Sequence, residues 1–185
     1  IWFVQNKVIK FSQNRKFIKN RILRTKYLNN YVPKIAAYND NMYMYNKIEG
    51  PVLSQIIDLS TFKKFLIYSD KFWVKKNLNR YEEKKFILSC NKFYKIKTHE
   101  RIELFYKKFN KKDNNEHING NTMPFLHEIL DQIDWNLICA GKASRFHGDF
   151  HFENIIYNKK IEKFTFLDWR QDFDGNIEYG DIYYD

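Results

Sequence analysis

Three side chains near the C-terminal end of the chain have the types and spacing for phosphoryl-transfer chemistry. Asp149 and Asn154 lie five apart in the segment His147-Gly148-Asp149-Phe150-His151-Phe152-Glu153-Asn154, and Asp168 follows 14 residues later at the end of the apolar run Phe164-Thr165-Phe166-Leu167. Such chemistry asks little covalent work of a protein. It needs a divalent cation against the phosphate charge, and a carboxylate to orient and deprotonate the attacking hydroxyl. Mg²⁺ is a hard ion that takes oxygen ligands, commonly one or two carboxylates with phosphate and water completing the shell. The Asp168 carboxylate and the Asn154 amide oxygen suit it, which leaves Asp149 to face the hydroxyl. The plainer alternative is a buried polar turn, in which Asp and Asn only satisfy backbone donors.

The elements that must hold these residues can be read from local pattern. Ile1–Val4 and Val8–Phe11 are β-prone runs around Gln5-Asn6-Lys7, and a helix is expected from about Arg15 to Leu28 behind a Ser12 or Asn14 cap. Lys34–Tyr38 and Met42–Ile48 read as a second strand pair around Asn39-Asp40-Asn41. Helical spacing then runs from Leu53 to about Phe109, followed by a polar loop over Lys111–Asn121. Thr122 and Pro124 are expected to open a helix that continues to about Ala140. Ile155–Tyr157 and Phe164–Leu167 form a hairpin around Asn158-Lys159-Lys160. The order suggests an α+β fold with a small antiparallel-sheet lobe over 1–50 and a larger helical lobe over 51–185.

The segment HGDFHFEN followed by FLDW resembles the catalytic loop of the aminoglycoside phosphotransferase and choline kinase family, a branch of the protein-kinase-like fold. Protein kinases carry H-R-D-x-x-x-x-N and then D-F-G; this chain keeps the Asp-to-Asn spacing with Gly148, His151 and Asp168-Trp169-Arg170. The resemblance implies a two-lobed fold, ATP and Mg²⁺ as partners, Asp149 as catalytic base, and Asn154 and Asp168 as metal ligands. Val8-Ile9-Lys10 is similar to the strand whose lysine holds nucleotide phosphates. Met44–Gly50 is similar to the inter-lobe hinge, which implies adenine contacts from the backbones of Asn46 and Ile48. Gly180–Asp185 is similar to the family's G-D-x-x-x-D, with Asp181 expected to brace the loop. The run from Leu167 to Asp185 also resembles phosphotransferases associated with bacterial surface-polysaccharide synthesis. Only 12 residues separate Asp168 from Asp181 and no A-P-E follows, which leaves no room for a protein kinase's activation loop.

The expected reaction is transfer of phosphate from ATP to a hydroxyl of a small molecule: a sugar, an amino alcohol or an aminoglycoside-like compound. Two features set the expectation against a catalytically impaired nucleotide-binding or scaffold domain. No glycine precedes Gly50, so no glycine-rich phosphate loop is present and the fold is expected to be incomplete at both ends. The helix after Lys10 carries no Glu or Asp to pair with that lysine. Either Lys10 is held another way, or it is not the nucleotide lysine, or the site is degraded.

Composition bounds the remaining choices. Hydrophobic residues make up 44% and aromatics 18%, enough for a core and too much for a disordered chain. The net charge of +10 belongs to the N-terminal fifth: residues 1–39 hold nine Lys or Arg and no acid, while the rest holds 23 basic and 22 acidic residues. A solvated helix face accounts for that charge better than a nucleic-acid surface, which would interleave aromatic platforms. No run reaches the roughly 18 apolar residues of a membrane helix. Cys90 and Cys139 form no CxxC pair, consistent with reduced core thiols and a cytoplasmic setting.

Overall fold

The computed structural model describes all 185 residues, Ile1–Asp185. In chain order the elements are β1 (Trp2–Val4), β2 (Lys7–Phe11), α1 (Arg15–Leu28), β3 (Ile35–Tyr38), β4 (Met42–Asn46), α2 (Leu59–Asp70), α3 (Arg80–Asn91) and α4 (Lys97–Phe109). There follow β5 (His117–Ile118), β6 (Asn121–Thr122), α5 (Leu126–Asp131), α6 (Trp135–Cys139), β7 (Ala143–Ser144), β8 (Ile155–Asn158), β9 (Lys163–Phe166) and β10 (Gly180–Asp181). The fold is thus mixed α+β with small antiparallel sheets. Its contacts gather into two compact units, Ile1–Leu78 with Lys142–Asp185, and Asn79–Gly141. The division expected at residue 50 falls inside the first of these.

In the first unit a four-stranded antiparallel sheet has the order β1-β2-β4-β3. Side chains alternate across a strand, so Val8 and Lys10 of β2 turn to the same covered face as Tyr43 and Tyr45 of β4, their register partners. Lys10 is therefore an inward lysine, 8% exposed. Helix α1 starts at Asn14, whose side chain accepts from the Phe17 amide at 3.1 Å. Its buried residues are Ile18, Asn20, Arg24 and Leu28, a mixed polar and apolar set.

The hairpin β8–β9 pairs Ile155 with Phe166 and is buried along most of its length. Gly50 lets the segment after β4 run against it: φ is +124°, and a Cβ there would sit 2.4 Å from the Tyr157 carbonyl oxygen. Tyr157 N–H then donates to the Pro51 carbonyl at 3.1 Å. Aromatic side chains fill the interior. Phe150 packs at 4.9 Å from Phe166, 5.9 Å from Phe72 and 5.7 Å from Phe65 between ring centroids, so the residue next to Asp149 is anchored in the core.

The second unit begins at a capping box, in which Asn79 accepts from the Glu82 amide and Glu82 accepts from the Asn79 amide. Helix α3 continues through a wide turn at Lys92–Ile96 into α4. Buried Phe86, Cys90, Leu130 and Cys139 form its interior.

Two expectations are corrected here. The 111–121 segment is not simply a loop, because Asn119 and Gly120 both take positive φ (51° and 80°) and turn a short hairpin, β5–β6. Thr122 pairs with His117 in that hairpin instead of capping a helix. The helix expected to reach Ala140 breaks at 132–134 into α5 and α6, because Asp134 starts a new turn by accepting from the Leu137 amide at 3.0 Å. No helix is long and apolar enough to cross a membrane.

Candidate functional site

Lys10, Asp149, Asn154 and Asp168 all lie in the first unit, and bonds join them into one group. Strand β9 ends at Phe166, and Leu167 N–H then donates to the Asn154 carbonyl at 2.7 Å, which ties the two loop segments together. Asn154 Nδ2 donates to Asp149 Oδ2 at 2.9 Å, to the Asp149 carbonyl at 3.0 Å, and lies 3.0 Å from His151 Nε2. Asp149 itself is open to solvent, with its side chain 59% exposed.

Asp168 adopts φ +56°, a left-handed conformation uncommon outside glycine. Its Oδ1 accepts from Lys10 Nζ at 2.6 Å and from Arg21 Nη1 at 3.3 Å, while its carbonyl accepts from Arg21 Nη2 at 3.3 Å. Burial acts to raise the Asp168 pKa, but Lys10 and Arg21 outweigh it and hold the carboxyl below its ordinary value. The missing acidic partner of Lys10 is thereby explained. The counter-ion is Asp168, and the helix that lacks an acid contributes an arginine to the same carboxylate.

The backbone around Asp149 is held by two residues whose role was not legible in the sequence. Arg24 of α1 is fully buried and donates to four carbonyls: Phe146 at 2.5 Å, Ile177 at 3.2 Å, His147 at 3.4 Å, and Arg170. Its guanidinium also lies 4.0 Å from the centre of the Phe146 ring, and burial lowers its pKa to about 9. Asp185 accepts from His147 N–H and Gly148 N–H, both at 2.6 Å, and from Trp73 Nε1 at 3.2 Å. Asp185 thus braces the loop, and Asp181 accepts from Lys142 N–H at 2.8 Å. Burial pushes the Asp185 carboxyl up to about 6 against the pull of its donors. His147, fully buried, is held neutral: desolvation and then Arg24 lower its pKa to about 3. Its Nδ1 accepts from Asp149 N–H at 3.3 Å, a further tie within the loop.

Asn46 and Ile48 stand apart from this group, with no hydrogen bond or ion pair to any of its members. Asn46 ends β4 and its Oδ1 accepts from Lys7 Nζ, and Lys47 N–H donates to the Asn6 carbonyl at 3.1 Å. Ile48 lines a separate concavity of 840 Å³ with Pro33, Ala36 and Thr165, and another of 770 Å³ lies along Arg15, Lys19 and Asn20 of α1. Neither includes Asp149, Asn154 or Asp168. The bonded chemistry, and not the depth of a cavity, marks the site.

The donor set can be tested against the expected cation. No group of three or more His, Cys, Asp or Glu side chains is arranged to hold a metal. What is available is one carboxylate and one amide: Asp168 Oδ2 and Asn154 Oδ1, since Asp168 uses Oδ1 and Asn154 uses Nδ2 for their protein contacts. Two oxygen donors fit Mg²⁺, which keeps waters and takes phosphate oxygens, and do not fit a metal that needs a full protein cage. No family model, no curated protein and no solved structure matches the chain.

Proposed function

We propose that the chain transfers the terminal phosphoryl group of ATP to a hydroxyl of a small molecule. One observation carries this reading. A continuous bonded path runs from Lys10 to Asp168, through the Leu167 amide to Asn154, and on to Asp149. That path joins a cation suited to phosphate, two oxygen donors suited to Mg²⁺ and an exposed carboxylate suited to a hydroxyl.

In this reading Lys10 holds phosphate oxygens, and Asp149 accepts a hydrogen bond from the incoming hydroxyl. The hydroxyl oxygen bonds to the γ-phosphorus, the bond to the β,γ-bridging oxygen breaks, ADP departs, and the hydroxyl proton passes to the Asp149 carboxylate. A divalent cation between Asn154 and Asp168 would neutralise the phosphate charge. His151, beside Asn154 and 3.8 Å from Asp149 Oδ2, orients the loop. The order β1-β2-β4-β3, with α1 inserted after the Lys10 strand, supports the finer reading of a protein-kinase-like two-lobed fold with the sheet as its nucleotide lobe.

A second reading, a nucleotide-binding scaffold without turnover, draws on Arg21: with Lys10 it holds one oxygen of the carboxylate that a metal would use. Titration calorimetry with ATP, with and without Mg²⁺, combined with ATP-consumption assays against sugars, amino alcohols and aminoglycosides, separates the two. Mg²⁺-dependent binding with consumption by one acceptor class is the expected result. Metal-independent binding with no consumption would establish the scaffold.

A further inference from the structure

Arg21 is the residue that the expected chemistry leaves unexplained. It lies on α1, where an acid was sought for Lys10, and converges with Lys10 on the same oxygen of Asp168. Both cations are largely buried: the side chains of Lys10 and Arg21 are 10% and 14% exposed, that of Asp168 is 33% exposed. Two cations thus share one carboxylate, and Arg24, the next basic side chain on the helix, is already committed to four carbonyls. Burying charge is costly unless it is paired. The arrangement has one positive charge more than its first neighbours balance.

The fork of Arg21 is also only partly used. Nη1 donates to Asp168 Oδ1 and to the Tyr43 hydroxyl, both at 3.3 Å, and Nη2 to the Asp168 carbonyl. These are long contacts for charge-assisted bonds. Nε is buried with no partner at all. The Phe17 ring, 4.5 Å from the guanidinium carbon, covers one face and leaves the edge to do the bonding. A planar fork with loose contacts and an unpaired N–H is built for a bidentate oxyanion.

We propose that Arg21 is a second phosphate-binding cation of the nucleotide site, acting beside Lys10 on the polyphosphate of ATP. The inference rests on the phosphotransferase reading above and adds to it a recognition element on α1. As phosphate enters, Asp168 turns an oxygen to the cation that accompanies ATP, and Lys10 and Arg21 transfer their donors to phosphate oxygens.

The test compares Mg²⁺-ATP, Mg²⁺-tripolyphosphate and adenosine as ligands in calorimetry, using the unaltered chain, Arg21→Gln and Arg21→Lys. Loss of a charged bidentate contact should weaken ATP and tripolyphosphate by roughly 10- to 100-fold in Arg21→Gln while leaving adenosine within about twofold. Arg21→Lys, which keeps charge and loses the fork, should give a smaller loss confined to the same two ligands. It supplies the reading if Arg21→Gln does not fold. Equal weakening of ATP and adenosine, or no weakening of either, would overturn the role of Arg21 and leave the phosphotransferase reading standing. Failure of the unaltered chain to bind either phosphate ligand would overturn both.

Discussion

Asp185 Oδ1 and Gly148 N–H lie 2.6 Å apart, and this bond sets the backbone immediately before Asp149. The other oxygen of the same carboxylate takes His147 N–H at 2.6 Å, so two successive amides are aimed at one side chain. The catalytic candidate therefore depends on a residue 36 positions further along, at the end of the described chain.

Asp149→Ala is expected to abolish most turnover while preserving nucleotide binding. Removal of a positioned general base costs about 10²- to 10⁴-fold. Steady-state kinetics with the true acceptor, set beside ATP calorimetry, checks both halves. Near-normal turnover would remove Asp149 from its assigned role.

Arg24→Lys should not rescue Arg24→Ala. The guanidinium serves four carbonyls from three segments in a fan that one ammonium cannot span. The His147 carbonyl keeps Arg170 N–H as a donor, and leaving the Phe146, Arg170 and Ile177 carbonyls without theirs is expected to cost about 3 kcal/mol or more for either variant. Urea unfolding followed by near-UV circular dichroism gives the comparison. Stability of Arg24→Lys close to that of the unaltered chain would show that charge alone suffices.

Gly148→Ala should damage the loop more than ordinary surface changes do. Gly148 has φ +92°, and a Cβ there would lie 2.5 Å from Arg170 Cβ and 3.0 Å from the Phe146 ring. Backbone strain and the steric conflict together predict a loss of about 2 kcal/mol or more. Thermal unfolding measures it. A variant as stable as its parent would mean that the loop can move aside without cost.

The pH dependence of stability should separate Asp185 from His147. Asp185 has a folded pKa raised to about 6 from 3.8, so its contribution is full below pH 3.8 and is lost as pH rises through 6. His147 has a folded pKa lowered to about 3 from 6.5, so its contribution is present above pH 6.5 and is lost as pH falls towards 3. Between about pH 4 and 6 the two slopes oppose each other. Asp185→Asn deletes one of them, so relative to its parent it should lose stability on acidification through that window, by up to about 1.4 kcal/mol per pH unit. Denaturant midpoints at pH 4, 5 and 6 read this directly. A difference between variant and parent that does not change with pH would contradict the proton placement.

The elements nearest the site were legible because they follow from local rules. The alternation in Val8-Ile9-Lys10 predicts that valine and lysine share a face, and in the fold both are buried. Asn14 caps α1 where a cap was expected, and the hairpin over 155–166 forms around its polar turn. Asn119-Gly120 carried its turn signal as well, hidden by the polar residues on either side. The break between α5 and α6 was not legible, because the apolar stripe runs on while Asp134 ends one helix geometry and begins another.

By itself the sequence determined which residues could do chemistry, since the types and spacing of Asp149, Asn154 and Asp168 are local properties of two loop segments. It also determined that Val8 and Lys10 would share a face, since strand alternation has a period of two, while which face is covered came from the fold. Only the tertiary structure decided what those residues meet. The Lys10–Asp168 pair spans 158 positions, the Arg21–Asp168 pair 147 and the Arg24–Phe146 bond 122. No periodicity encodes contacts of that range. They arise when the aromatic core fixes α1, the sheet and the loop segments at one distance from each other, so that a helix without an acid presents two arginines to the site.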